Sequence, residues 1–272
     1  MCLALIAFDA HPRYRLVLAA NRDEYHARAA APAAWWDEGF LAGRDLKEGG
    51  TWLGVTRRGR FALLTNVREP SRHEPTAPTR GTLVPQFLVD EEPPAKSLES
   101  LIAHGNQHNG FNLVAGDASQ VHWGSNRTAN IATLAPGIHG LSNGLLDTPW
   151  PKVERTKAAL RRWCVNGDDA DDLAPVFALL RDKQMAPAEA LPDTGIPFAR
   201  ERLLSAPFIV SPDYGTRCTT VVTVSRDGDV RFVECSFDPA GTAIGELDYR
   251  FTLQSYNDAG RRTEFTRVER SR

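Results

Sequence analysis

The sequence predicts an α+β fold of mainly antiparallel sheets with helices on their outer faces. Two observations carry this. Short runs rich in apolar and β-branched residues arrive in pairs separated by turn signals, as hairpins do, and segments with helical spacing interrupt those runs in pairs rather than one by one. A doubly wound parallel sheet would instead alternate single strands with single helices. At 272 residues, with 42% hydrophobic and 24% charged side chains, the chain has the composition and length to bury one core, and one domain is expected over residues 1–272.

The elements follow in order. Cys2 to Phe8 and Arg15 to Ala20 are apolar runs flanking His11-Pro12-Arg13, a first hairpin whose second strand ends in Asn21-Arg22-Asp23-Glu24. An Ala/Pro-rich stretch holding Trp35 and Trp36 reads as a loop. Gly49 to Val55 and Phe61 to Asn66, joined through Arg57 to Arg60, form a second hairpin, and again a strand runs out into polar residues, Asn66, Arg68 and Glu69. Pro70, Pro75 and Pro78 mark a loop before two helical segments, Leu83 to Val89 and Ser97 to His104. Strand patterns return at 111–115, 121–123 and 138–141. Pro151 then opens an amphipathic helix through Cys164 with Val153, Leu160 and Trp163 facing inward, and a second helix is expected over 170–181. Strands close the chain at 208–210, 219–225, 230–236 and 249–253, with Asp227-Gly228 as a hairpin turn.

Composition excludes several classes of function. A formal charge of −2 and no long basic run leave nucleic acid without an electrostatic footprint. No apolar run reaches 18 residues, so no membrane-spanning helix is expected. Met1 to Phe8 lacks the basic start of a signal peptide, and Cys2, Cys164, Cys218 and Cys235 show no CxxC pairing, which together predict reduced thiols and a cytoplasmic location. His104 and His108 are separated by Gly105 and Asn106, which break the helix that would align them, so no metal site is expected. Glycine-rich phosphate loops are absent.

Chemistry concentrates at the N-terminus. With Met1 removed, the Cys2 thiol shares its residue with a free α-amine whose ordinary pKa is about 7.7 to 8.0, so nucleophile and base are fixed together by covalent bonds. The structural alternative is a small buried thiol in a strand. Asn21 to Glu24 have the alternative of a charged turn, Trp52 of a core anchor between glycines, Asn66 and Asn143 of turn formers, and Arg217 of a surface ion pair.

Asn21-Arg22-Asp23-Glu24 matches the signature of the NRDE family, also called the transport and Golgi organisation protein 2 family. Gly49 to Gly54, Thr65-Asn66, Arg80-Gly81, Leu141 to Gly144, Pro149 to Lys152 and Thr216 to Thr220 resemble that family's blocks in its order, so the resemblance spans nearly the whole chain. The family is similar to cysteine N-terminal nucleophile hydrolases such as penicillin V acylases and bile-salt hydrolases, which implies a four-layer αββα sandwich. By this resemblance Cys2 is the nucleophile, Arg22 and Asp23 orient thiol and amine, Asn66 and Asn143 are oxyanion donors, and Arg217 is the late-strand arginine. The acylases space their arginine and aspartate three positions apart; here the two are adjacent, and Asn21 and Glu24 stand as alternatives for those roles. Trp52 and Arg68 complete the expected ligand-binding set with Asn21 and Glu24.

Hydrolysis of a small amide or thioester is the implied activity, with no cofactor required. The family's links to haem trafficking and acyl-coenzyme A metabolism imply the rival role of a non-catalytic carrier. Haem would be held loosely by Cys or His, since CxxCH is missing, and Arg22, Arg44, Arg57 and Arg58 would meet the phosphates of acyl-coenzyme A.

Overall fold

Alternation along each strand decides which side chains fill the space between two sheets and which face the helices. The computed structural model describes residues 3–128, 130–166 and 171–254. The first sheet contains β1 (Leu3–Phe8), β2 (Tyr14–Tyr25), β10 (Gly137–Leu141), β11 (Tyr214–Ser225), β12 (Asp229–Phe237) and β13 (Ala243–Thr252), in the order β10-β1-β2-β11-β12-β13. The second contains β3 (Ala30–Trp35), β4 (Phe40–Asp45), β5 (Leu53–Thr56), β6 (Phe61–Asn66), β7 (Phe111–Gly116), β8 (Val121–Ser125) and β9 (Ala132–Thr133), in sequence order. All pairings are antiparallel.

Ala4, Ile6, Leu16, Leu18, Val222 and Phe232 of the first sheet meet Leu41, Leu53, Val55, Leu63 and Val114 of the second in a common inner core. The opposite face of the first sheet, Leu3, Leu5, Val17 and Ala19, packs on α3 (Pro151–Asn166) and α4 (Ala174–Leu180) through Val153, Leu160, Trp163, Val176 and Leu180. The outer face of the second, with Phe40, Leu64 and Leu113, packs on α1 (Leu83–Val89) and α2 (Pro94–Ala103) through Val84, Phe87, Leu98 and Ile102. The layers therefore run α, β, β, α, and each fully buried Leu, Ile or Phe contributes about 1.5 to 3 kcal/mol.

Four expectations need correction. β2 does not stop at Ala20: Asn21 to Glu24 lie inside it, because β11 continues to pair with it as far as Tyr25. The Ala/Pro stretch is strand β3, which sits at a sheet edge, where Pro32 needs no ladder partner, and skips register between Ala31 and Ala34. Phe208 to Val210 is reduced to one bridge, Val210 with Gly215. A helix not anticipated, α5 (Phe198–Leu204), follows Pro197, and of the helix expected over 170–181, residue 170 lies outside the described residues while the helix found, α4, is shorter at Ala174–Leu180.

The register skip in β3 frees a peptide group that the other sheet takes up. Ala33 N–H donates to Glu234 Oε1 at 2.7 Å, and the Tyr249 hydroxyl donates to Ala33 O at 2.9 Å. Glu234, 2% exposed, also accepts from Thr220 Oγ1 at 3.0 Å, and burial pushes its carboxyl pKa up against the pull of these donors. An amide in its place keeps a carbonyl oxygen for the Ala33 N–H and an N–H that the Thr220 hydroxyl can accept. Glu234→Gln should keep stability within about 1 kcal/mol, whereas Glu234→Ala, which strands the Ala33 N–H and opens a void, should cost about 3 kcal/mol in urea unfolding. Equal losses in the two variants would contradict this role.

Candidate active site

Because Asn21 to Glu24 are consecutive in a strand, their side chains divide between two faces. Asn21 and Asp23 turn toward the helices. Asn21 is fully buried and satisfied: its amide donates to Leu180 O and Pro207 O, both at 2.8 Å, and its Oδ1 accepts from Thr219 Oγ1 at 2.6 Å. Asp23 Oδ1 accepts from Thr216 Oγ1 at 2.6 Å. Arg22 and Glu24 turn the other way, into a cleft of about 360 Å³ that Trp52 and Asn66 also line.

Arg22 joins the two sheets. From β2 its Nη2 donates to Asp45 Oδ2 at 3.1 Å, at the end of β4, and its guanidinium lies 4.5 Å from the centre of the Trp52 ring. Asp45 Oδ2 also accepts from Arg28 Nε at 2.6 Å, while Oδ1 accepts the backbone N–H groups of Lys47 and Glu48 at 3.0 and 3.1 Å. Burial alone would push the Asp45 pKa up, but the Arg28 hydrogen bond, those two N–H groups and the positive charge of Arg28 outweigh it, and the pKa falls below the usual carboxylate value. Glu24 lies 4.0 Å from Arg22 and 3.9 Å from Arg28. Arg22 is 3% exposed, yet its Nη1 is buried without a hydrogen-bond partner among the described residues.

Glycine shapes this wall at two points. A Cβ on Gly43 would come within 2.5 Å of the Trp52 ring, and one on Gly50 within 2.5 Å of the Gly81 backbone, whose carbonyl accepts from Thr51 N at 3.0 Å. Only bare backbone permits these approaches.

Asn66, Arg68 and Asn143 form a second group beside the cleft. Asn143 donates from Nδ2 to Asn66 O at 3.0 Å and accepts at Oδ1 from Arg68 Nη2 at 3.3 Å; Arg68 Nη1 donates to Glu201 Oε2 at 2.6 Å. Neither Asn143 nor Arg68 lines the cleft itself. The loop that carries Asn143 is pinned further on by Asp147, at φ +55°, whose carboxylate accepts from Gly140 N at 2.9 Å and Lys157 Nζ at 2.7 Å and pairs with His139 at 2.8 Å. Arg217 is the extra residue of a bulge between Thr216 and Cys218, and its Nη1 donates to the carbonyls of Tyr25 and His26 at 3.3 and 3.0 Å, away from the cleft.

Cys2 lies outside the described residues. Leu3, which follows it, pairs with Asn21 at the start of β1. The three described cysteines are unpaired and poor thiolates: burial pushes Cys164 up to about 11, and burial raises Cys218, reinforced by Glu234, and Cys235 as well. Among the described residues no group of three or more His, Cys, Asp or Glu side chains is placed to hold a metal ion. Of the arginines expected at phosphates, Arg22 alone lines the cleft; Arg44 stacks on Trp36 and Arg57 on Trp35, and Arg58 pairs with Glu91 at 3.5 Å. Sequence reasoning missed Asp45, Arg28 and Glu201. An acid at a strand end ahead of a Gly-Gly turn was a usable signal for Asp45; Glu201 sits on the unanticipated α5 and had none.

The chain is thus an αββα sandwich with a polar, arginine-walled cleft where β2, β4 and β6 approach one another. It belongs to the Transport and Golgi organisation 2 family, whose model matches residues 1–239. The bovine transport and Golgi organization protein 2 homolog is 38% identical over 94% of this chain and 100% of its own length, and the human homolog 35% identical with the same coverage. The Drosophila melanogaster protein is 30% identical over 89% of this chain and 95% of its length. Among solved structures, the R18L variant of conjugated bile acid hydrolase from Clostridium perfringens is similar at 11% identity and a TM-score of 0.49, covering 95% of this chain and 100% of that one. The Caenorhabditis elegans ortholog of N-acylethanolamine-hydrolyzing acid amidase is similar at 10% identity and a TM-score of 0.46, covering 81% and 92%. No described helix is long and apolar enough to cross a membrane.

The Asp45 pair carries a definite pH dependence. A carboxylate with a depressed native pKa adds stability that is complete above the unfolded value of 3.8 and is lost as pH falls through the native one. Urea unfolding followed from about pH 6 to about pH 3 should therefore show a steeper acid loss in the wild type than in Asp45→Asn. Parallel curves would rule the pair out as a source of stability.

Proposed function

We propose that this chain is a cysteine N-terminal nucleophile hydrolase that cleaves a small amide or thioester through Cys2, acting in the cytoplasm without a cofactor. The observation that carries the reading is Arg22, a buried guanidinium with one N–H-bearing nitrogen unpartnered among the described residues, in the cleft wall next to the residue that pairs with Leu3. Leaving a buried donor unmade costs about 1 to 3 kcal/mol, more when it is charged. A cationic group beside the first residues of β1 would lower a thiol pKa and orient a thiolate.

In this mechanism the α-amine of Cys2 takes the thiol proton as Sγ attacks the substrate carbonyl carbon. The carbonyl π pair moves to oxygen, and amide N–H donors such as Asn66 and Asn143 stabilise that oxyanion, each such donor being worth about 2.7 to 4 kcal/mol. Collapse expels the amine or thiol, which leaves with the proton held by the α-amine, and Cys2 becomes a thioester. Water then attacks the acyl carbon, gives a proton to the amine, and releases a carboxylic acid as the thiol is restored.

The alternative, a carrier of haem or acyl-coenzyme A on the same fold, draws less support, because the tryptophans or an acid hold three of the four arginines that would meet phosphates. The two readings separate in one variant. Protein produced with Cys2 as its first residue should hydrolyse members of a panel of acyl p-nitroanilides and acyl thioesters, and Cys2→Ala should lose about 10³-fold or more of that activity with an unchanged unfolding midpoint. Undiminished hydrolysis in Cys2→Ala removes the nucleophile, and saturable haem or acyl-coenzyme A binding without turnover in the wild type favours the carrier.

A further inference from the structure

We propose that Glu201 is a positioning residue for the oxyanion donor Asn143, acting through Arg68; the proposal rests on the hydrolase reading above. A side-chain amide has one acceptor end and one donor end, and turning it over by half a rotation exchanges them. Here both ends are dictated by groups of opposite character. Asn66 O can only accept, and it takes an N–H from Asn143 Nδ2 at 3.0 Å. Arg68 Nη2 can only donate, and it meets Asn143 Oδ1 at 3.3 Å. Arg68 N also donates to Asn143 O at 2.8 Å, so backbone and side chain of the two residues are coupled. This leaves the second N–H of the same amide without an acceptor among the described residues, and because Leu141 pairs with Ala4, Asn143 follows β10 beside the start of β1 rather than in the cleft lining, where that N–H is the donor available to an oxyanion. With Arg68 displaced, Oδ1 loses its donor and the amide is held at the Asn66 end alone, so its remaining N–H is no longer fixed in direction.

Glu201 is what holds Arg68 in that pose. It is 4% exposed, and its two oxygens are divided between tasks: Oε2 accepts from Arg68 Nη1 at 2.6 Å, and Oε1 accepts from Thr194 N at 3.0 Å and from the Thr194 hydroxyl. Arg68 also lies 5.0 Å from the centre of the Trp150 ring, so its guanidinium is fixed in plane by the carboxylate and capped on a face by the indole. The helix that bears Glu201 is anchored in turn, since Lys152 Nζ of α3 donates to Leu204 O at 2.8 Å. The chain of contacts thus runs from α5 through Arg68 and Asn143 to Asn66 at the cleft wall. Every link is a directed donor-to-acceptor contact, and only the carboxylate end carries the negative charge that makes the Arg68 pose the favoured one.

The test separates oxyanion chemistry from thiol chemistry at the same sulfur. In full-length protein beginning at Cys2, acylation by p-nitrophenyl acetate passes through a tetrahedral oxyanion and releases p-nitrophenolate; alkylation by iodoacetamide displaces iodide at a saturated carbon and forms no oxyanion. Glu201→Gln should slow acylation of Cys2 by about tenfold or more and leave its alkylation rate unchanged, because only the first reaction uses the Asn143 donor. In an Asn143→Ala background the same substitution should add nothing to the acylation rate. If Glu201→Gln fails to fold, Arg68→Lys is the second variant: its ammonium keeps a counterion for Glu201 but lacks the two-nitrogen planar fork that reaches Glu201 and Asn143 together, and the same selective loss is expected. Equal loss of both reactions, or loss that persists in the Asn143→Ala background, assigns Glu201 a merely structural role and overturns the proposal. Normal acylation in both Glu201→Gln and Arg68→Lys overturns it too. Absence of Cys2 acylation in the wild type overturns the hydrolase reading first, and this one with it.

Discussion

A buried ion pair across the sandwich, Arg22 of one sheet on Asp45 of the other, is the constraint around which the rest of the cleft is arranged. Two sheets packed through aliphatic side chains alone can slide, since burial has no direction. A guanidinium does have one: Arg22 has Asp45 at one nitrogen and the Trp52 ring against its face. Asp45 is itself held by Arg28 and by two backbone N–H groups, and Trp52 by the bare backbone of Gly43. Removing one partner of such a buried pair costs about 3 to 5 kcal/mol, far more than the pair yields over a hydrophobic replacement. The pair therefore fixes geometry, and once that geometry is built, losing either partner also costs stability.

The same pair explains why β2 is long. A strand that ended at Ala20 would leave Arg22 and Glu24 on a mobile turn, able to satisfy themselves in water. Continued pairing with β11 to Tyr25 fixes Asn21 and Asp23 on the helix side and Arg22 and Glu24 on the cleft side. Four adjacent polar residues then do two jobs. Asn21 ties the sheet to the ends of α4 and of the segment before β11 through Leu180 O and Pro207 O, while its neighbour faces the cavity.

Periodicity made the inner parts of the fold legible. The runs at β1, β6, β7 and β12 are apolar enough, and the spacing in α3 regular enough, that Val153, Leu160 and Trp163 could be placed inward and are buried there. Strand β3 was not legible, because Ala and Pro carry no strand signal and its pairing is supplied by β4 and by Glu234 and Tyr249 of the other sheet. The extent of β2 was hidden for a related reason: Asn, Arg, Asp and Glu read as a turn until their long-range partners are known. At the candidate site, the family resemblance and not residue type pointed to Arg22, Glu24, Trp52 and Asn66, and these four line one cleft. They did not indicate that Arg217 would bond the Tyr25 and His26 carbonyls, or that Arg68 would have a buried acid on α5, since neither partner is near in sequence.

The central claim is that the Arg22 guanidinium acts on the sulfur of the first residue. The direct measurement is the pH dependence of iodoacetamide alkylation at Cys2, in protein that starts with that residue, compared between wild type and Arg22→Met. The account predicts a wild-type thiol pKa below the ordinary value of about 8.5 and a rise of about one unit or more in the variant. The same titration curve in both proteins would contradict it.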